Sequence, residues 1–195
     1  IIGCGTAGIF AGYELSESMP GIDVIMLEQG GDIYSRKCPV VNHRNTDCVR
    51  CKSCSIMNGF GGAGAYSDGK FNFTAQFGGW LNVKFGATTE RFSTRSEEAA
   101  KIEKRALEND LHLLHAIVKH LGTENNLHIL MKLYEYLKRR VDIRCDTAVR
   151  RIIPEDGIYT LQTAGGDTIR CRYLINAPGR SGAEWFTQQC KALKL

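Results

Sequence analysis

The sequence predicts an α/β fold built on a parallel central sheet, with an antiparallel β-meander and a long Cys- and Gly-rich insertion. Three stretches carry this prediction. First, Ile1-Ile2 run straight into Gly3-Cys4-Gly5-Thr6-Ala7-Gly8, and a helical stretch with Phe10, Ala11 and Leu15 on one side follows. Second, Pro20-Gly21 stops that helix, and Asp23-Val24-Ile25-Met26-Leu27 is a short apolar strand. Third, Ile158 to Thr163 alternates at period two, turns at Gly165-Gly166 and returns as Thr168 to Tyr173.

Strand, tight turn and helix in that order have a physical use. Gly3 allows the turn, the missing side chain of Gly5 lets a pyrophosphate approach the backbone, and Gly8 lets helix and strand pack closely. The free N–H groups and positive dipole end of the helix then face the phosphates. This Rossmann-like pattern assigns Gly3, Gly5, Thr6, Ala7 and Gly8 to a dinucleotide. Glu28 ends the second strand twenty residues past Gly8, where an acid accepts hydrogen bonds from a ribose hydroxyl. The competing reading is an ordinary glycine turn with Glu28 as a solvated strand end. The shared register of strand, helix, second strand and acid favours the dinucleotide.

Composition narrows the class. At 195 residues the chain can bury one sizeable core, and 43% hydrophobic with 24% charged residues is a globular balance. A net charge of +4 is too mild to point to nucleic acid. The densest basic run, Lys138-Arg139-Arg140, ends a predicted helix, where cations suit the dipole. No apolar run approaches the ~20 residues of a membrane helix, and no signal-peptide pattern is present. Eight cysteines would suit a secreted disulfide framework, but four crowd into residues 38 to 54 at metal-like spacing, so a reducing cytoplasm is expected. Only two residues precede Gly3, so the first strand looks clipped, and a fragment is expected.

The remaining elements follow in order. Periodicity breaks down from Gly30 to Asn82, and residues 32–95 are assigned to the insertion, a length that in a compact domain is usually functional. Thr94 with Glu97, or Ser96, opens a predicted helix that ends near Asn109-Asp110. Leu111 to Val118 continues it or forms a separate strand. Thr123 starts a clearer helix with Leu127, Leu130, Met131, Leu133, Tyr134 and Leu137 in an apolar stripe. Val141 to Cys145 and Ala148 to Ile153 are predicted strands, and Leu174 to Gly179 a buried strand ending in a glycine turn.

Cys38, Cys48, Cys51 and Cys54 are the candidate metal ligands. Two-residue spacers let successive sulfurs converge on one centre, so four thiolates could close a zinc site or hold an iron–sulfur cluster. A CxxC pair could instead be a redox dithiol passing electrons to a flavin, or the cysteines could be unliganded. Cys4, Cys145, Cys171 and Cys190 sit singly in predicted elements and are expected to be small core residues.

Together, the glycine fingerprint, Glu28, the helix, strand and meander of residues 125 to 173 and the closing strand resemble the FAD-binding half of two-dinucleotide-binding-domain flavoproteins. The middle is similar to one subgroup, the poorly characterised FAD-dependent dehydrogenases, or NAD(P)/FAD-dependent oxidoreductases. These carry a cysteine-rich insertion before a Gly-Gly-Ala-Gly-x-x-Ser-Asp-Gly-Lys stretch, a later His-x-Gly-Thr and an Ala-Pro-Gly-Arg-Ser-Gly turn, matched here by Gly61 to Lys70, His120 to Thr123 and Ala177 to Gly182. The resemblance implies that Gly61, Gly62 and Gly64 run close to the flavin or ribitol, with Ser67, Asp68 and Lys70 nearby. It also places Ala177 and Gly179 beside the nucleotide. Arg180 would meet a phosphate or only cap the turn. His120 is the catalytic candidate, weighed against an imidazole simply satisfied in its loop. Family members are longer, and Gly79 to Phe85 looks short.

The expectation is therefore an incomplete FAD-binding domain over residues 1–195, the N-terminal part of a flavin-dependent oxidoreductase that does not complete a catalytic site alone. It would transfer hydride or electrons to or from a small-molecule substrate, with FAD as cofactor and NAD(P)H as a candidate donor. A disulfide reductase using CxxC beside flavin is one alternative. A non-catalytic nucleotide-binding module is the other.

Overall fold

The computed structural model describes residues 1–73, 104, 107–108 and 117–195. The predicted helix from Thr94 or Ser96, most of Leu111 to Val118 and the later part of the insertion lie outside the described residues. The chain divides into two compact units, Ile1–Ser67 with Thr123–Leu195, and Asp68–Gly122.

In the larger unit, α1 (Thr6–Ser18) follows the opening loop, and β1 (Ile25–Leu27) follows α1. The predicted opening strand is reduced to a single bridging residue, but a central one. Ile2 bridges in parallel to Leu27 on one side and to Asn176 on the other. β1 in turn pairs in parallel with β4 (Asp142–Arg144), in the register Met26 to Ile143. The closing strand expected over Leu174 to Gly179 likewise contracts to the Asn176 bridge, supported by Ile2 N–H to Ile175 O at 2.9 Å and Ala177 N–H to Ile2 O at 2.8 Å.

Period-two alternation sends β1 side chains to opposite faces, and each face has its own core. Met26, with Cys4, Ile9, Phe60, Leu137 and Val141, is buried on one. Leu27, with Ile2, Val149, Ile152, Leu161 and Ile169, is buried on the other. α1 reaches β1 closely because Gly12 has no side chain: a Cβ there would stand 2.6 Å from Met26 Sδ. α2 (Thr123–Leu137) covers the same face, stacking Tyr136 on Tyr13 of α1 at 5.1 Å between ring centroids. Leu130, Met131, Leu133, Tyr134 and Leu137 pack as the predicted stripe requires. Leu127 does not. It is 40% exposed because Asn126, one position earlier, turns inward and donates to Gly64 O at 2.7 Å.

On the other face β5 (Val149–Glu155), β6 (Ile158–Thr163) and β7 (Thr168–Cys171) form the expected antiparallel meander. Asp156 and Gly157, both at positive φ, make the first of its turns. A register shift between Val149 and Arg151 interrupts the pairing. β5 is an edge strand of this sheet, and α3 (Ala183–Leu193) takes two of its backbone groups beside the shift: Gln189 Oε1 accepts from Ile152 N–H at 3.0 Å, and the Trp185 indole N–H donates to Arg150 O at 2.9 Å.

The smaller unit contains β2 (Lys70–Phe73) and β3 (Ile117–His120), antiparallel, with Lys70 directly opposite His120. β2 was not expected inside an irregular insertion. Lys-Phe-Asn-Phe alternates at period two over only four residues, too short to stand out beside so many glycines. Among the described residues no helix is long and apolar enough to cross a membrane.

Candidate functional site

The opening loop, the glycine stretch and the Ala177–Gly182 turn converge on a cavity of about 410 Å³ in the larger unit. That volume lies within the ~300–1,000 Å³ usual for small-molecule sites. Gly3, Gly5, Thr6, Glu28, Gly61, Gly62, Gly64, Ala177, Gly179 and Arg180 all line it. Ala7 and Gly8 do not. Ser67 is turned back on its own chain, its hydroxyl donating to Gly64 O at 2.8 Å.

Each glycine of the loop has a distinct reason to be there. Gly3 has φ +92°, and a Cβ on it would run into the Ala177 carbonyl oxygen. A Cβ on Gly8 would run into the Gly3 carbonyl. Both are demanded by the protein's own packing. Gly5 is different. It caps α1 in extended conformation, and a Cβ there would find Gly62 Cα at 4.0 Å and nothing nearer, so the space it leaves is cavity. This is the cradle that an anionic group fits, in front of a thirteen-residue helix whose first N–H groups lack intrahelical partners.

Glu28 is 5% exposed and acts as the hub of the cradle. Its carboxylate accepts three backbone N–H groups, from Cys4 at 2.8 Å, Gly30 at 2.9 Å and Gly59 at 2.8 Å. It thereby joins the opening loop, the end of β1 and the start of the glycine stretch. Charge-assisted bonds of this kind are about twice as strong as neutral ones. A carboxylate has about four acceptor positions, so this network leaves capacity for a ligand hydroxyl.

The opposite wall is held by a residue the sequence did not single out. Arg36, 7% exposed, donates to Ser55 O, Ile56 O and Phe60 O at 2.7 to 2.9 Å and lies over the Tyr66 ring at 5.1 Å. Burial pulls its pKa below the usual guanidinium value, opposed by Tyr66, Glu28 and Cys54. Gly61 N–H donates to Cys4 O at 2.8 Å and closes that wall onto the opening loop. An isolated Arg in a loop gives no periodic signal, so nothing local could have marked it. Also missed were Gln29, Asn58, Thr147, Val149, Ser181 and Trp185, all lining the cavity. The Gln29 amide N–H₂ joins two of them, donating to Asn58 Oδ1 at 3.0 Å and Ser181 Oγ at 3.2 Å.

The other candidates are placed as follows. Asp68, Lys70 and His120 belong to the smaller unit, where the Asp68 carboxylate pairs with Lys70 Nζ at 2.7 Å and lies 3.8 Å from His120 Nε2. The Lys70 ammonium holds the Asp68 pKa below the usual carboxylate value. In the cysteine run, Cys48 and Cys51 are exposed and Cys38 and Cys54 half-buried, and all eight cysteines are free thiols. Among the described residues no three His, Cys, Asp or Glu side chains are gathered where they could hold a metal ion. Cys38, Cys48, Cys51 and Cys54, the expected zinc or iron–sulfur ligands, are not gathered around one centre.

No family model matches the chain. It is 26% identical over 192 residues to an uncharacterized protein of Clostridium beijerinckii, an alignment that covers 95% of this chain and 31% of that protein. The chain thus spans about a third of the relative's length. Among solved structures it is similar to cyclohexanone monooxygenase from Rhodococcus sp. Phi1 bound to NADP+, at 19% identity and a TM-score of 0.42, covering 91% of this chain and 25% of that one. It is also similar to CtdE in complex with FAD, at 15% identity and 0.39, covering 87% and 34%. For FqzB the figures are 14% and 0.44, covering 96% and 37%.

Proposed function

We propose that the chain is the Rossmann-like FAD-binding portion of a flavin-dependent oxidoreductase. The observation that carries this is the space in front of Gly5: a helix N-terminus, a side-chain-free approach and a buried carboxylate at the end of the next strand, all in one cavity. In this reading Gly5, Thr6 and the first N–H groups of α1 hold the diphosphate. Glu28 offers its remaining acceptor position to a ribose hydroxyl while fixing the loop. Gly61, Gly62 and Gly64 give the rest of the dinucleotide a wall without side chains, and Arg180 faces its phosphates.

Bound flavin would supply the hydride or electron transfer. The chain's own part is to bind and orient it. NAD(P)H as donor, a small-molecule substrate and a reducing cytoplasm complete the proposal. His120 is proposed as a proton-handling group, with Asp68 and Lys70 as its neighbours.

Gly5→Ala tests the reading. A methyl group at residue 5 has room in the folded chain but occupies the approach to the backbone. The variant should keep the parent's circular dichroism and melting temperature while FAD affinity, measured by calorimetry, falls at least tenfold. Parent-like FAD affinity in a folded Gly5→Ala would refute the assignment.

A further inference from the structure

A second cavity, of about 670 Å³, lies along the edge strand β5 and the last turns of α3, and it shares no lining residue with the first. Its size also falls within the ~300–1,000 Å³ of small-molecule sites. The floor is aliphatic, with Ile152 buried and Ile153 and Leu193 half-buried. Three cations, Arg150, Arg151 and Lys194, stand around it, and no Asp or Glu lines the cavity. Among the described residues none of these three side chains has an ion pair or a hydrogen bond.

The surplus of donors continues below the rim. Gln189 lines the cavity and is only 9% exposed; its Oε1 accepts from Ile152 N–H at 3.0 Å, and its Nε2 donates to Arg150 O at 3.3 Å. An amide nitrogen carries two N–H groups, so one of them is left without a partner. An added β-strand does not answer this arrangement. On the free edge of β5, Ile152 N–H is already taken by Gln189, and Pro154, the next residue on that edge, has no N–H. What fits is a molecule held by side chains, with an oxyanion on the guanidinium groups and hydrocarbon on the floor.

We propose that this cavity binds a small organic anion with an aliphatic body, its carboxylate or phosphate head on Arg150, Arg151 and Lys194 and its chain on Ile153 and Leu193. The site is separate from the dinucleotide cavity and stands whether or not that reading does. α3 is common to the two: Trp185 lines the first cavity, while Gln189 and Leu193, about one and two turns on, line the second.

Titration calorimetry with octanoate and octyl phosphate tests the site, with 1-octanol and inorganic phosphate as the separate halves of the ligand. The octyl anion whose head group the site takes should bind once per chain, about tenfold or more tighter than either half. Arg150→Ala combined with Arg151→Ala should weaken that anion about tenfold or more, and added salt should weaken it in the parent. Both arginines are exposed, so circular dichroism and melting temperature should stay at the parent's. Parent affinity in the double variant overturns the proposal, as does 1-octanol or inorganic phosphate binding as tightly as the octyl anions. Saturable binding of neither octyl anion overturns it too, and binding then found only on vesicles containing phosphatidic acid would assign the cations to a membrane surface. The comparison of the whole ligand with its halves needs no substitution, so a poorly folding variant would not rescue the proposal.

Discussion

The opening loop, residues 3 to 8, and the cysteine run, residues 38 to 54, are the two densest motifs in the chain, and the fold treats them in opposite ways. The loop is locked. Gly3 presses on Ala177, Gly8 presses on Gly3, and the buried Glu28 carboxylate takes the Cys4 N–H. The cysteine run carries local turn bonds at its start, where Cys38 O accepts from Asn42 N–H and Pro39 O from Arg44 N–H, and at its end Cys54 O accepts from Met57 and Asn58 N–H and Arg36 grips Ser55 and Ile56. Its central thiols face solvent. A motif whose meaning lies in backbone shape is complete once the chain folds. One whose meaning lies in side-chain convergence needs something that gathers those side chains, and local spacing does not supply it.

The contrast breaks most sharply at Gly8. Gly8→Val should cost more than ~4 kcal/mol, because the added atoms must displace the Gly3 carbonyl within the loop. Urea unfolding should find the variant largely unfolded, while Gly5→Ala, three residues earlier, melts with the parent. A stable Gly8→Val would mean that the loop is not locked as described.

Glu28 comes next. Glu28→Ala strands three buried backbone donors at once, a loss of about 3–5 kcal/mol. Denaturant melts would show it, and a loss below about 1 kcal/mol would remove Glu28 as the hub. The predicted change occurs without any ligand, which separates this role from a ribose contact.

The smallest effect belongs to the cysteines. Cys48→Ser with Cys51→Ser should shift stability by no more than ~0.5 kcal/mol, as exposed substitutions do. In the parent at pH 8, iodoacetamide should label those two first. Cys4 and Cys145 should resist until unfolding, because burial pushes Cys145 up to about 12 and Cys4 well above its ordinary value. Nearby Glu28 adds to both. Below the unfolded thiol pKa of about 8.5, both states keep these protons and the buried thiols add no pH dependence. Above it the unfolded chain ionises and the folded chain does not, so stability should fall as the pH climbs toward about 12. Prompt modification of Cys4 in the native state would contradict its burial.

Much of the frame was legible in the residues. Gly3, Gly5 and Gly8 told of a strand, turn and helix because backbone space is a local property. Alternation over Ile158 to Thr163 told of the meander for the same reason, and Asp23 to Leu27 of the strand that ends at Glu28. The four-residue β2 and the inward turn of Asn126 were not legible, since neither outweighs its neighbours in a sequence window. The cysteine spacing was legible as a pattern, while the described chain does not gather the four thiols at one point.

The sequence by itself determined where the backbone must bend, which stretches alternate and where an acid follows a strand, because those depend on neighbours in the chain. Only the tertiary structure decided that Arg36 grips the far wall, that the Glu28 carboxylate ties three segments, and that the Trp185 indole is tied to Arg150 O beside the cavity. Those outcomes depend on groups separated by twenty or more residues meeting in space, and such meetings are selected by burial and hydrogen-bond satisfaction over the whole unit.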